Sequence, residues 1–161
     1  MTDPDLAVRT ADERASLIGF VEDQRLQIER LAGDLSEDEA RASLVPSLTT
    51  VLGLLKHATF VEKVWFETRI EGRTRAEAGL PESVDESFTL SDADTLAGAL
   101  ADFRTACERS RRILAEVDLD DTVSARMGEV SVRWILLHLI REYARHAGHA
   151  DILREQLRAR R

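Results

Sequence analysis

Four side chains able to bind a metal fall within one short stretch of the sequence: His138, Glu142, His146 and His149. Residues four apart on an α-helix share a face, with Cβ atoms about 6 Å apart, so Glu142 and His146 can point at one cation. The apolar positions Ile135, Leu139, Ala150 and Leu153 continue the same stripe on either side of the pair. That pattern puts a carboxylate and an imidazole on the buried side of a helix, where each needs a partner. A divalent metal supplies one.

A second imidazole comes from another helix. His57 lies one turn from Leu54 and one from Val61, inside a separate apolar stripe. His57, Glu142 and His146 together make a two-imidazole, one-carboxylate set, which suits Zn, Ni or Fe(II) and leaves coordination positions open to water or substrate. The competing reading has no metal: His57 is a hydrogen-bonded core histidine, and Glu142 forms a buried ion pair with a histidine. His149, one turn beyond His146, is a candidate fourth ligand, a group that hydrogen-bonds a ligand, or a base near bound water. His138, one turn before Glu142, is expected to point away or to bond locally. Trp65 and Tyr143 either line a pocket or serve as core.

The elements that must carry these residues are helical. A box at Thr10-Ala11-Asp12-Glu13 predicts a first long helix running to about Leu35, with Leu17, Phe20, Val21, Gln24, Ile28 and Leu31 inward and Glu22, Asp23, Arg25, Glu29 and Arg30 on the solvated face. Ser36-Glu37-Asp38-Glu39 predicts a short helical turn reaching Ser43, broken by Val45-Pro46. Ser47 is expected to cap a second long helix that carries His57 and stops at Gly72. Residues 73–90 are polar and irregular. At about 3.3 Å per extended residue they can cross a whole bundle, so the second and third long helices can lie parallel.

Ser91-Asp92-Ala93-Asp94 is expected to open the third helix, with Leu96, Leu100, Phe103, Cys107 and Leu114 on one side. Residues 118–130 form a linker with an extended piece at 122–125. Ser131 caps the fourth helix, in which Ile152 and Leu157 extend the apolar surface beyond the histidines. The expected fold class is all-α, a four-helix bundle forming one domain over residues 1–161.

Composition narrows the function. With 43% hydrophobic and 32% charged residues, three Pro and eight Gly among 161, the chain reads as soluble and mainly helical. A net charge of −8 argues against nucleic acid and anionic membranes as partners. The start, Met1-Thr2-Asp3-Pro4-Asp5, is acidic without an apolar run behind it, and nowhere do about 18 apolar residues follow one another; a cytoplasmic protein is expected. The single cysteine, Cys107, permits no intramolecular disulfide. Among 22 basic residues only Lys56 and Lys63 are lysine, which suggests a GC-rich bacterial coding bias.

The segment Gly53-Leu54-Leu55-Lys56-His57-Ala58 with Glu62, Trp65 and Phe66, together with the run from Glu142-Tyr143-Ala144-Arg145-His146-Ala147-Gly148-His149 to Glu155, resembles the DinB/YfiT-like superfamily, in particular its DUF664 branch. The resemblance implies a bundle of up-down-down-up topology and a homodimer. It also implies a metal set of one histidine from the second helix, matched by His57, and a His-x-x-x-His pair from the fourth, whose last member matches His146. Glu142 stands where that pattern has histidine, a departure resembling the mycothiol-dependent maleylpyruvate isomerase branch. The activity implied is that of a thiol-dependent metalloenzyme, an S-transferase or isomerase acting on a small-molecule thiol and an electrophile. The arginine bias favours mycothiol over bacillithiol as the thiol. Two other classes stay open: a non-catalytic metal-binding stress or interaction protein, and a metal-dependent hydrolase.

Overall fold

In the computed structural model, which describes residues 3–160, the chain is mostly helical with one small two-stranded sheet. Met1, Thr2 and Arg161, at the two ends of the chain, lie outside the described residues. A short helix, α1 (Pro4–Ala7), precedes the first long one, α2 (Glu13–Arg30). The cap of α2 is Asp12, not Thr10: its backbone is extended and its carboxylate accepts from the Ala15 N–H at 2.8 Å. The turn after α1 uses up Thr10, because this segment folds back on α2. A Cβ at Gly19 would lie 2.4 Å from a Val8 methyl, so only glycine permits that approach.

Ser36 and Glu39 form the reciprocal capping box expected of them, and α3 (Glu37–Arg41) follows. The next helix, α4 (Val51–Glu62), is capped by Thr50, whose hydroxyl accepts from Gly53 N–H at 2.9 Å, while Ser47 instead bonds to Thr49. Without interruption α4 passes into a π-helical segment, Lys63–Ile70, and Gly72 ends it with φ +81°. The wider π turn brings three consecutive residues, Trp65, Phe66 and Glu67, onto the buried side.

Residues 73–90 cross the molecule irregularly, apart from a 3₁₀ turn at Asp85–Phe88. Asp94 accepts from the backbone and hydroxyl of Ser91 in a turn of its own, so the cap of α5 (Leu96–Ala115) is Thr95. The extended piece at 122–125 is real but not alone. It is β1 (Thr122–Ala125), paired antiparallel with β2 (Gly128–Ser131), with Gly128 at φ +110° in the turn. Ser131 accepts from Trp134 N–H and caps α6 (Val132–Arg158) as expected.

The pair α2 and α6 pack on one another, as do α4 and α5, and α4 also meets α6. Their apolar faces share a core in which Ile28, Leu54, Leu55, Phe66, Phe103, Ile135, Leu136 and Leu139 are sealed from solvent. Cys107 belongs to that core. Phe20 and Ile152 do not: they are 45% and 57% exposed, because Val21 and Leu153 beside them take the inward positions.

The largest departure from the expected pattern is Arg25. It is 2% exposed rather than solvated, and its guanidinium meets the fully buried Glu62 with two bonds of 2.8 Å, the fork-to-fork pairing arginine favours. The Tyr143 hydroxyl donates to the same carboxylate at 2.8 Å, and Ser110 also bonds to it. One carboxylate on α4 therefore ties together α2, α5 and α6. Burial alone pushes the Glu62 carboxyl up; the Arg25 charge, with the Ser110 and Tyr143 donors, outweighs it and holds the group below the usual range.

Candidate metal centre

His57 is held by residues of the crossover. Its ring is buried and stacks on Phe88 with centroids 4.0 Å apart and planes 14° apart. Its Nδ1 lies 2.8 Å from Ser87 Oγ, and that hydroxyl donates its only proton to the Val84 carbonyl at 2.5 Å. The hydrogen between Ser87 and His57 must therefore come from Nδ1, which leaves Nε2 bare. Burial lowers the His57 pKa, with the nearby Glu142 only partly offsetting it, so the ring is neutral at neutral pH.

The bare Nε2 faces α6. Glu142 Oε1 is 3.6 Å from it and 2.9 Å from His146 Nε2. The two imidazoles stand edge to face, 4.9 Å between centroids. The three residues offer ligand atoms all within 4.8 Å of one another. A cation with bonds of about 2.0–2.2 Å holds its ligands roughly 3–4 Å apart, so small side-chain adjustments suffice. Hydrogen bonding from His146 is the main cause that keeps the Glu142 carboxyl well below the usual range, and so ionised.

Two features of this cluster fit a divalent metal better than an ion pair without one. An unprotonated nitrogen and a carboxylate oxygen, both electron-rich, face each other between α4 and α6, an arrangement that a positive charge between them stabilises. A proton on His57 would serve, but burial disfavours it. Further, His146 Nδ1 is buried and has no hydrogen-bond partner among the described residues, although its other nitrogen is engaged by Glu142.

The remaining candidates are spread around the cluster. His149 is exposed, its ring 5.8 Å from that of His146. His138 turns aside as expected, stacking on Trp134 at 5.0 Å and meeting Arg141 through Nδ1. Trp65 is 8% exposed and packs edge-on against Trp134 and His138. Tyr143 is fully buried and points at Glu62 and the Ala58 carbonyl. Burial, aided by the charge of Glu62, pushes the Cys107 thiol far up, so it is no nucleophile at neutral pH.

Tyr143 has a further consequence for the cluster. It follows Glu142 on α6, and its acceptor Glu62 lies on α4 five residues beyond His57, so the hydroxyl ties together the two helices that carry the cluster. Tyr143→Phe keeps the ring and deletes one bond to an ionised carboxylate. We expect urea denaturation to show a loss of about 1.5–3 kcal/mol with an unchanged slope. No loss would show that the hydroxyl does not secure the seam.

Sequence reasoning missed Ser87 and Phe88, which orient His57. The crossover has no periodic pattern, but Phe88 is the only aromatic residue in 73–90, and a lone aromatic in a polar connection is a signal that it packs on something.

Residues 16–159 match the family model described as mycothiol-S-transferase. No curated protein matches the chain.

Proposed function

This chain belongs to the mycothiol-S-transferase family, and we propose from that premise that it is a metal-dependent enzyme transferring or isomerising through a mycothiol-type thiol and an electrophile. The observation that carries the reading is the convergence of His57, Glu142 and His146 from two helices. These three would hold the metal, zinc first, with nickel or iron as alternatives for a set with two nitrogens and one oxygen. The chemistry such a metal supplies is a lowered pKa for a thiol bound to it.

The chain's own residues do the rest. Ser87 and Phe88 present the His57 nitrogen in its unprotonated form, and Glu142 contributes a charge that stays ionised. His149, exposed beside His146, is positioned to pass a proton between the thiol and solvent. Tyr143 supports the site from the α4–α6 seam through its bond to Glu62, whereas Trp65 packs on Trp134 and His138 instead of on the cluster. The same reading makes the molecule a single four-helix bundle of up-down-down-up topology, with α2, α4, α5 and α6 as its members, working as a cytoplasmic homodimer. No helix among the described residues is long and apolar enough to cross a membrane.

The test is to incubate metal-loaded protein with mycothiol and a fluorogenic electrophile. Thiol consumption that depends on both protein and metal supports the proposal. Metal retention without any transfer would favour a non-catalytic metal-binding protein, and release of hydrolysis product without thiol would favour a hydrolase.

A site joining two helices also adds to stability, because the metal binds the native state alone. Metal at about 100 times its dissociation constant contributes roughly 2.7 kcal/mol. Chelation of a sample shown to contain metal is therefore expected to lower Tm by about 5–10 °C. An unchanged Tm would mean that the metal sits elsewhere.

A further inference from the structure

A cavity of about 540 Å³ opens between α4, the crossover and α5, on the side of α4 neighbouring the His57 face. Lys56, Thr59 and Lys63 reach it from one stripe of the helix at spacings of three and four. Its size is that of a small-molecule site. Two features of its wall specify a ligand.

The first is charge. Lys56 and Lys63 are the only lysines in the chain, and both line this cavity. Lys56 is neutralised by Asp94 at 2.7 Å. Lys63, half-buried, has no carboxylate within ion-pair distance among the described residues; its ammonium reaches only the Ala78 carbonyl, at 3.2 Å. A compact ammonium left with one neutral acceptor is suited to an incoming anion. Glu86 and Asp102 also line the cavity, and their repulsion doubles for a dianion, so a single negative charge held directly against the Lys63 ammonium is the form the wall disfavours less.

The second is the apolar wall. Phe60, Leu80, Pro81 and Ala99 offer a surface for a hydrophobic body next to the Lys63 ammonium. Ser87 completes the enclosure, and its hydroxyl is the group that holds His57 Nδ1. An occupant would thus sit one hydroxyl away from the candidate metal ligand, yet on the other side of its ring.

The geometry points to a second binding site, for an amphipathic monocarboxylate whose carboxylate pairs with Lys63 and whose apolar body packs on Phe60, Leu80 and Pro81. The site does not depend on the proposed activity, and its test does not read activity. Full-length protein is titrated with 2-naphthoate, with the neutral isostere 2-naphthamide, and with 2-naphthyl phosphate, following ligand fluorescence and the methyl NMR signals of Leu80 and Ala99. Naphthoate is expected to saturate one site, shift those methyl signals, and bind at least about tenfold tighter than the amide, the worth of one charge-assisted bond. The phosphate is expected to bind more weakly than the carboxylate.

Lys63→Met should remove the preference for naphthoate over the amide, and His146→Ala should leave naphthoate affinity unchanged. The ligand pair tests the charge in the unaltered chain, so the conclusion does not hang on a variant folding. Equal affinity for naphthoate and naphthamide, a Lys63→Met protein that still prefers the carboxylate, or binding lost in His146→Ala would overturn the assignment. The last result would place the carboxylate at the metal centre instead.

Discussion

His146→Ala is expected to lose bound metal and thiol-transfer activity together, while Cys107→Ser keeps both. His146 and Glu142 form one half of the cluster on α6, and without the imidazole only His57 and a single carboxylate remain. Groups that merely support a metal ligand cost roughly 10–100-fold in affinity or activity when removed, so deletion of a ligand should exceed that range. Cys107 lies in the core with its thiol pKa raised by burial, and in the proposed reaction the reacting sulfur is that of the small-molecule thiol. His149→Ala separates two roles. Exposed and outside the cluster, it should keep the metal and slow turnover, with the larger effect where proton transfer limits the rate. Metal content by elemental analysis and thiol transfer by fluorescence are measured on the same samples. Equal transfer rates in the wild type and in metal-free His146→Ala would rule out the mechanism.

Glu142 and His146 could be read from the sequence because a four-residue spacing on one helix fixes their geometry before any tertiary contact is known. His57 could be placed on an inward stripe for the same reason. Its tautomer could not, since that depends on Ser87, thirty residues downstream in a segment with no period. The helix starts show a similar division. Ser36 and Ser131 were identifiable because no rival cap stands beside them that fits the backbone, whereas Thr10, Ser47 and the Ser91-Asp94 box each lie close to the residue that does cap, Asp12, Thr50 and Thr95. Which of several polar residues caps is decided by where the backbone turns extended, and docking of the preceding segment decides that. β2 is not legible in the sequence because four residues of mixed character carry little period of their own. Arg25 departs from its expected solvated position for a different reason. A charged residue amid Glu22 and Glu29 reads as solvated, and its buried partner Glu62 lies 37 positions away.

That hidden pair yields the largest expected stability effect. Arg25→Met should fill most of the arginine's volume yet leave the Glu62 carboxylate fully buried with only Tyr143 and Ser110 as donors. Removing one member of a buried pair costs about 3–5 kcal/mol, because the other charge stays desolvated without compensation. Urea denaturation at neutral pH should show that loss. Adding Glu62→Gln to the variant should recover much of it, since glutamine still offers Tyr143 an acceptor and carries no charge. The pH dependence gives an independent check on the cause. In the wild type the folded-state pKa of Glu62 is depressed, so its contribution is present above the unfolded value and disappears as pH falls through the folded one. In Arg25→Met the opposing effect of burial prevails and raises the carboxyl above its unfolded value, so this protein is relieved as Glu62 takes up a proton. The stability gap between wild type and Arg25→Met should therefore narrow on going from pH 7 to about pH 5. A gap that stays constant over that range, or a double variant no more stable than Arg25→Met alone, would show that the loss comes from altered packing beside Phe66 and not from the stranded charge.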